Sequence, residues 1–145
     1  MPEKETSERA QDDAREGKSP STQAGEFVRE EIHHVREGKH GASSPQQAIA
    51  IGLSKARRAG VKLGAPKGPA SLQEKAAQDS EVGRHPRRKT STRRSRATSG
   101  ALKRKPRSTA SHEAVSRQAK KSASKRGPKA RHVAAAKAAR TRKAA

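Results

Sequence analysis

Residues 19–62 read SPSTQAGEFVREEIHHVREGKHGASSPQQAIAIGLSKARRAGVK, and only in this part of the chain are apolar side chains spaced as in a folded protein. The first half of the stretch places apolar residues on one stripe at helical spacing: Ala24, Val28, Ile32 and Val35, with Phe27 beside them. Gly38 follows, and glycine accepts the left-handed conformation that often ends a helix. The pattern predicts an amphipathic helix over residues 22–37.

The second half of the stretch carries a stronger helix start. Ser44 suits the N-cap, Pro45 suits the first helical position, and Gln47 completes a capping box. Gly60 ends the apolar stripe that follows, so we expect a second helix over residues 45–59. The connection is short and favours an antiparallel helical hairpin. The expected core or interface of this hairpin consists of Phe27, Val28, Ile32, Val35, Ile49 and Leu53.

A hairpin of this size buries too little apolar surface to be stable without help. The module over residues 21–63 would gain stability by pairing with a second copy of itself. It would also gain stability by docking on another protein. A homodimer and an unknown protein partner are therefore both open predictions.

Outside this module the chain is poor in apolar residues. Over the whole chain, 34% of the residues are charged and 1% are aromatic. Such a composition cannot offset the entropy cost of ordering the backbone. We therefore expect a disordered segment over residues 1–20 and a linker over 64–83, with a short helix from Ser71 to about Asp79. Residues 84–145 are expected to be a disordered cationic tail. The predicted fold class is thus mainly α and disordered: a small helical hairpin with a long, disordered, basic C-terminal tail.

The positive charge lies almost entirely in that tail. Residues 84–145 contain 22 lysines and arginines against one acid, Glu113, whereas residues 1–70 carry a net charge of only +2, from 12 basic and 10 acidic residues. Such a segment binds phosphates by releasing counterions, without reading sequence. The candidate nucleic-acid-binding residues are Arg87, Arg88, Lys89, Arg93, Arg94, Arg96, Lys103, Arg104, Lys105, Arg107, Lys120, Lys121, Lys125, Arg126, Lys129, Arg131, Lys137, Arg140, Arg142 and Lys143.

Duplex DNA is favoured over RNA as the partner, because the tail has no aromatic side chain on which single-stranded bases could stack. Residues 125–129, KRGPK, are similar to an extended hook that inserts into the minor groove of A·T-rich DNA. The arginine that such a hook places between glycine and proline is missing here. No sequence preference is therefore predicted.

The block over residues 19–62 resembles a family of small, basic bacterial proteins that is classed as a domain of unknown function. Its members usually carry a tail rich in lysine, arginine and alanine, as residues 108–127 and 133–143 do here. The resemblance implies a bacterial source and a small helical module, and it implies no activity or catalytic residue. In composition, the tail is also similar to that of linker histones.

Several other functions are not expected. Cysteine is absent, and no sequence motif of a hydrolase or of a nucleotide-binding loop occurs. Glu30 and Glu31 stand three residues before His33 and His34, a spacing used in di-metal helical bundles. The second helix offers no carboxylate to such a site, and adjacent histidines point about 100° apart on a helix. We therefore predict no metal, no cofactor and no enzymatic activity.

These observations predict a cytoplasmic, nucleoid-associated accessory protein that does not contact membranes. It would bind DNA through phosphate contacts of its basic tail, without sequence specificity. Two alternatives stay open. In the first, the hairpin docks on a specific protein partner, which exposed Phe27, Ile32, Ile49 and Leu53 would favour. In the second, the chain is a basic protein associated with RNA or the ribosome.

Overall fold

The computed structural model describes residues 2–85 and 91–144, and over these residues the protein is all-helical. The helices are α1 (Lys4–Arg15), α2 (Pro20–Glu37), α3 (Pro45–Arg58), α4 (Ala70–Arg84), α5 (Thr92–Lys103), α6 (His112–Ser124) and α7 (Gly127–Ala144), with a 3-10 turn at Ser108–Ala110. The chain divides into two compact units, Met1–Ala110 and Ser111–Ala145.

The predicted helical hairpin forms the centre of the first unit as α2 and α3. The Oγ atom of Ser44 accepts a hydrogen bond from the Gln47 amide at 3.2 Å, and Gly38 ends α2 at a φ of 80°. Helix α2 begins two residues earlier than predicted, because Ser19 is its N-cap and Pro20 its first residue. Local capping chemistry therefore sets the limits of both helices.

Helices α2 and α3 approach closely at Gly52. A Cβ atom at this position would lie 2.7 Å from the Cα atom of Val28, so only glycine fits without a shift. Alanines fill much of the remaining interface: Ala24, Ala48 and Ala56 are all buried. Of the predicted core residues, Phe27 and Val35 are buried, whereas Ile32 and Leu53 pack half-buried against them and Val28 and Ile49 are also half-buried.

The prediction of disorder over residues 1–20 is wrong, because α1 packs against α2. Ala10 joins Phe27 in the core, and the side chain of Thr6 is buried. The Nε atom of Arg9 donates a hydrogen bond to Oε2 of Glu26 at 2.8 Å. Because small and paired polar groups make this contact, the segment needs no run of large apolar residues to be ordered.

The expected linker contains a longer helix than predicted. Helix α4 runs from Ala70 to Arg84 and packs on α3. Buried Asp79 accepts hydrogen bonds from Ser54 at 2.5 Å and from Arg58 at 2.8 Å. Polar contacts therefore account for much of this packing as well.

The prediction of a disordered basic tail is also wrong, since its described part forms helices α5, α6 and α7. Alanine, lysine and arginine are strong helix formers. The charged groups of the lysines and arginines are exposed here, and salt screens the repulsion between exposed charges that are more than about 10 Å apart. The last turn of α5 and the segment after it are also anchored to the hairpin. The Gly41 amide donates to the Leu102 carbonyl at 2.9 Å, and Nε of Arg36 donates to the Ala110 carbonyl at 2.6 Å.

The second unit is the helix pair α6 and α7. Ser111 caps α6 by accepting a hydrogen bond from the Ala114 amide at 3.2 Å. Gly127, at a φ of 71°, makes the turn between the two helices, and Pro128 occupies the first turn of α7. Residues 125–129 therefore form the turn after α6 and the start of α7, whereas a minor-groove hook requires an extended backbone.

Candidate functional site

Helices α5, α6 and α7 and the segments between them carry a dense set of exposed cations. Of the predicted nucleic-acid-binding residues, Arg87, Arg88 and Lys89 lie outside the described residues. All others are exposed: Arg93, Arg94, Arg96, Lys103, Arg104, Lys105, Arg107, Lys120, Lys121, Lys125, Arg126, Lys129, Arg131, Lys137, Arg140, Arg142 and Lys143. Arg117 completes the set on α6, where it is exposed one helical turn before Lys120 and Lys121. Its spacing of three and four residues from these lysines was the signal that sequence reasoning missed.

None of these 18 cations forms an ion pair with a described residue. The contrast with residues 2–85 is clear, because most lysines and arginines there bind a carboxylate; Arg58 contacts Asp79 at 2.7 Å, for example. The cause is compositional, since Glu113 is the single acid among residues 91–144. A polyanion could therefore bind here without breaking an existing ion pair.

Helix geometry aligns several of these cations. Helix α7 has 18 residues and is therefore about 27 Å long. At about 100° per residue, Lys129, Lys137, Arg140 and Lys143 share a face about 120° wide. Arg93, Arg96, Lys103 and Arg104 follow a comparable stripe along α5 and its C-cap. Each stripe suits a row of phosphates.

The predicted hairpin interface is largely covered by the chain itself. Phe27 is 1% exposed and packs with Ala10, Ala24 and Ala56. Exposure of Phe27, Ile32, Ile49 and Leu53 would have favoured the protein-docking alternative. Phe27 is buried, and the other three side chains are half-buried. Within residues 2–85 and 91–143, the exposed large apolar side chains are instead Leu72, Val82 and Val133.

A second chemical feature is a buried pair of carboxylates on α2. The side chains of Glu30 and Glu31 are 2% and 0% exposed, and Lys55 of α3 lies between them. Its Nζ atom is 3.1 Å from Oε1 of Glu30 and 2.7 Å from Oε2 of Glu31. Burial lowers the pKa of Lys55, but the carboxylates of Glu31 and Glu30 outweigh it and raise this pKa above the ordinary value.

The amino-terminal segment contributes to the same cluster. Burial opposes ionisation of Glu30, yet hydrogen bonds from the Glu3 amide and the Thr6 hydroxyl, together with Lys55, hold its pKa below the ordinary value. The side chain of Glu3 contacts His34 and Lys39, each at 3.0 Å. The His34 ring, followed by the Lys39 ammonium, lowers the pKa of Glu3 to about 2.

The surrounding face of α2 is only partly exposed to solvent. Arg29, His33 and Glu37 are exposed, whereas Glu26 and Glu30 are buried.

The same region gathers three groups able to bind a metal ion: Glu31, His34 and His40 each offer one ligand atom, and these atoms lie within 4.8 Å of one another. Sequence reasoning weighed only His33 and His34 and missed His40, which the loop after α2 carries back toward Glu31.

None of the helices in the described ranges is long and apolar enough to cross a membrane. Comparisons of the chain with protein-family models, with curated proteins and with solved structures find no match. The resemblance of residues 19–62 to a bacterial family of unknown function therefore stays a prediction.

Proposed function

We propose that this protein binds duplex DNA without sequence specificity, as a non-enzymatic, nucleoid-associated accessory protein of the bacterial cytoplasm. The observation that carries the proposal is the set of 18 exposed cations over residues 91–144, none paired with a carboxylate of the described chain. Each phosphate that these cations neutralise releases counterions, which supplies affinity independent of base sequence.

The preference for a duplex rests on aromatic content. Proteins that bind single strands stack bases on aromatic side chains. Phe27 is the only phenylalanine, tyrosine or tryptophan in the chain, and it is 1% exposed. Phosphate contacts along a regular duplex do not need such a stacking surface.

The salt dependence of DNA binding tests the proposal. The full chain is titrated into two fluorescent duplexes of unrelated sequence over a series of salt concentrations. We expect equal affinities for the two duplexes and a logarithmic fall in affinity with salt, with a slope of about 0.9 per phosphate contact. Failure to bind duplex DNA at low salt, or affinities that differ more than about tenfold between the sequences, would contradict the proposal.

Two matched variants locate the interface. Lys137→Gln with Arg140→Gln removes two charges from one face of α7, and we expect the salt slope to fall by about 2. Lys62→Gln with Lys67→Gln also removes two exposed charges, but from the connection between α3 and α4. This control should leave the slope unchanged. An equal fall of the salt slope in the two variants would show that the net charge of the chain, rather than the cations of α7, determines binding.

Competition with duplex RNA, and with single-stranded DNA, decides between nucleic acids. We expect duplex DNA to compete most strongly. Stronger competition by RNA would instead support association with RNA or the ribosome.

A further inference from the structure

The protons of His34 and His40 can be placed from their hydrogen bonds. The Nε2 atom of His34 lies 3.0 Å from Oε1 of Glu3, and a carboxylate only accepts, so Nε2 carries a hydrogen. The Nδ1 atom of His40 lies 3.2 Å from the carbonyl oxygen of Gly41 and carries a hydrogen for the same reason. In neutral rings, the two remaining nitrogens are therefore lone-pair acceptors.

Those two acceptors face carboxylate oxygens. Nε2 of His40 is 3.1 Å from Oε1 of Glu31, and Nδ1 of His34 is 3.9 Å from Oε1 of Glu30. Lone pairs at such distances repel each other unless a positive charge lies between them. The same region places two buried carboxylates, those of Glu30 and Glu31, beside one ammonium group, that of Lys55.

The need for a positive charge applies in particular to Glu31. Its side chain is 0% exposed, and neither of its oxygens accepts a hydrogen bond of ordinary geometry from the described residues. Lys55 and His40 stand at ion-pair distance from separate oxygens of Glu31. The Oε1 atom of this buried carboxylate therefore lacks a strong hydrogen-bond partner.

We propose that Glu31, His34 and His40 bind a divalent transition-metal ion of the zinc class. Two imidazoles and one carboxylate are the ligands that such ions prefer, and their ligand atoms lie within 4.8 Å of one another. Each histidine also donates its other N–H to an oxygen, as metal-binding histidines do. Small inward movements of the side chains bring the ligands to bonds of about 2.0–2.2 Å.

A cavity borders one of the three proposed ligands, His34. This cavity of about 210 Å³ between α1 and α2 is lined by Glu3, Glu30 and His34 among others. Glu30, next to His34, could offer a fourth ligand. The proposal does not rest on the proposed DNA binding.

Metal titration of the full chain tests the proposal, with chelator-treated protein that carries no polyhistidine tag. Co²⁺ should give the visible absorption of a bound ion with nitrogen ligands, and Zn²⁺ should compete it away and raise the unfolding temperature. His40→Gln should weaken Co²⁺ binding at least about tenfold. The matched control, His33→Gln, removes an exposed neighbouring histidine and should bind as the unmodified chain does.

A variant outside the core keeps the test decisive if His40→Gln fails to fold. The side chain of Glu3 is 51% exposed, and it orients His34 without being a ligand. Glu3→Gln should therefore keep the helical circular dichroism and weaken Co²⁺ binding about 10–100-fold. Absence of Co²⁺ binding by the unmodified chain would overturn the proposal. So would nitrogen NMR shifts showing that both ring nitrogens of His40 stay protonated in the presence of Zn²⁺, since the balancing charge would then be a proton.

Discussion

Lys55 is the cation that pairs with two buried carboxylates in the first unit. Its ammonium group lies within 3.1 Å of both Glu30 and Glu31, whose side chains are almost completely buried. Neither carboxylate can turn to solvent, so each needs a positive charge inside the protein. A buried cluster of this kind adds little to stability when intact, but it is costly to break.

Substitution of this lysine should therefore be strongly destabilising. Lys55→Met keeps the aliphatic part of the side chain and leaves the two buried carboxylates without their ammonium partner. We expect a loss of about 3–5 kcal/mol in the free energy of unfolding, measured by chemical denaturation. Lys62→Met is the matched control, because Lys62 is exposed and no ion pair with a described residue holds it, and it should change stability by less than about 0.5 kcal/mol. A loss below about 1 kcal/mol for Lys55→Met would show that the carboxylates are neutral in the folded protein.

Single residues also show what the sequence could not reveal. Gly41 has no special turn conformation, yet a Cβ atom there would overlap the carbonyl oxygen of Lys105. His40, beside it, reaches Glu31 across the loop. Both roles depend on contacts between segments distant in sequence, and no local pattern records such contacts.

At the scale of the helix, sequence signals succeed where they are local. Helices α2 and α3 have N-cap serines followed by proline, and a glycine lies at or just beyond each C-terminal end, so their limits could be predicted. Helix α1 could not be predicted, because Ala10, Thr6 and a pair of charged residues make its contact with α2. Helices α5 to α7 were missed because their charge was weighed above the helix propensity of alanine, lysine and arginine.

Two serine caps should have different effects on the two units. Ser44 caps α3 and Ser111 caps α6, each accepting a hydrogen bond from an amide at 3.2 Å. Ser44→Ala should lower the free energy of unfolding of the first unit by about 1 kcal/mol, because α3 is packed in its core. Ser111→Ala should leave that transition unchanged and speed amide hydrogen exchange in α6, whose apolar contacts are few. Equal shifts of the main unfolding transition in both variants would show that the two units unfold together.

At the scale of the whole molecule, a net charge of +21 makes acid an effective denaturant. Protonation of carboxylates removes the ion pairs that join α1, α2, α3 and α4, and it leaves the cations to repel one another. Asp79 is the clearest single contributor on the α3–α4 side. Burial opposes its ionisation, but Lys75, Ser54 and Arg58 hold the pKa of Asp79 below its ordinary value of 3.8.

The lowered pKa of Asp79 sets the direction of its effect. The folded protein holds the carboxylate in its charged form more strongly than the unfolded chain does, so this contribution is complete above about pH 3.8. It is lost as the pH falls through the lower pKa of the folded state. Asp79→Asn should therefore cost about 1.5–3 kcal/mol at pH 7 and progressively less below pH 3.8, where the aspartate is itself protonated. Urea denaturation from pH 7 to pH 2 measures the difference, with Glu74→Gln, an exposed position on the same helix, as the control. A difference between Asp79→Asn and the unmodified chain that stays constant down to pH 2 would show that α4 is held on α3 by packing rather than by this charge.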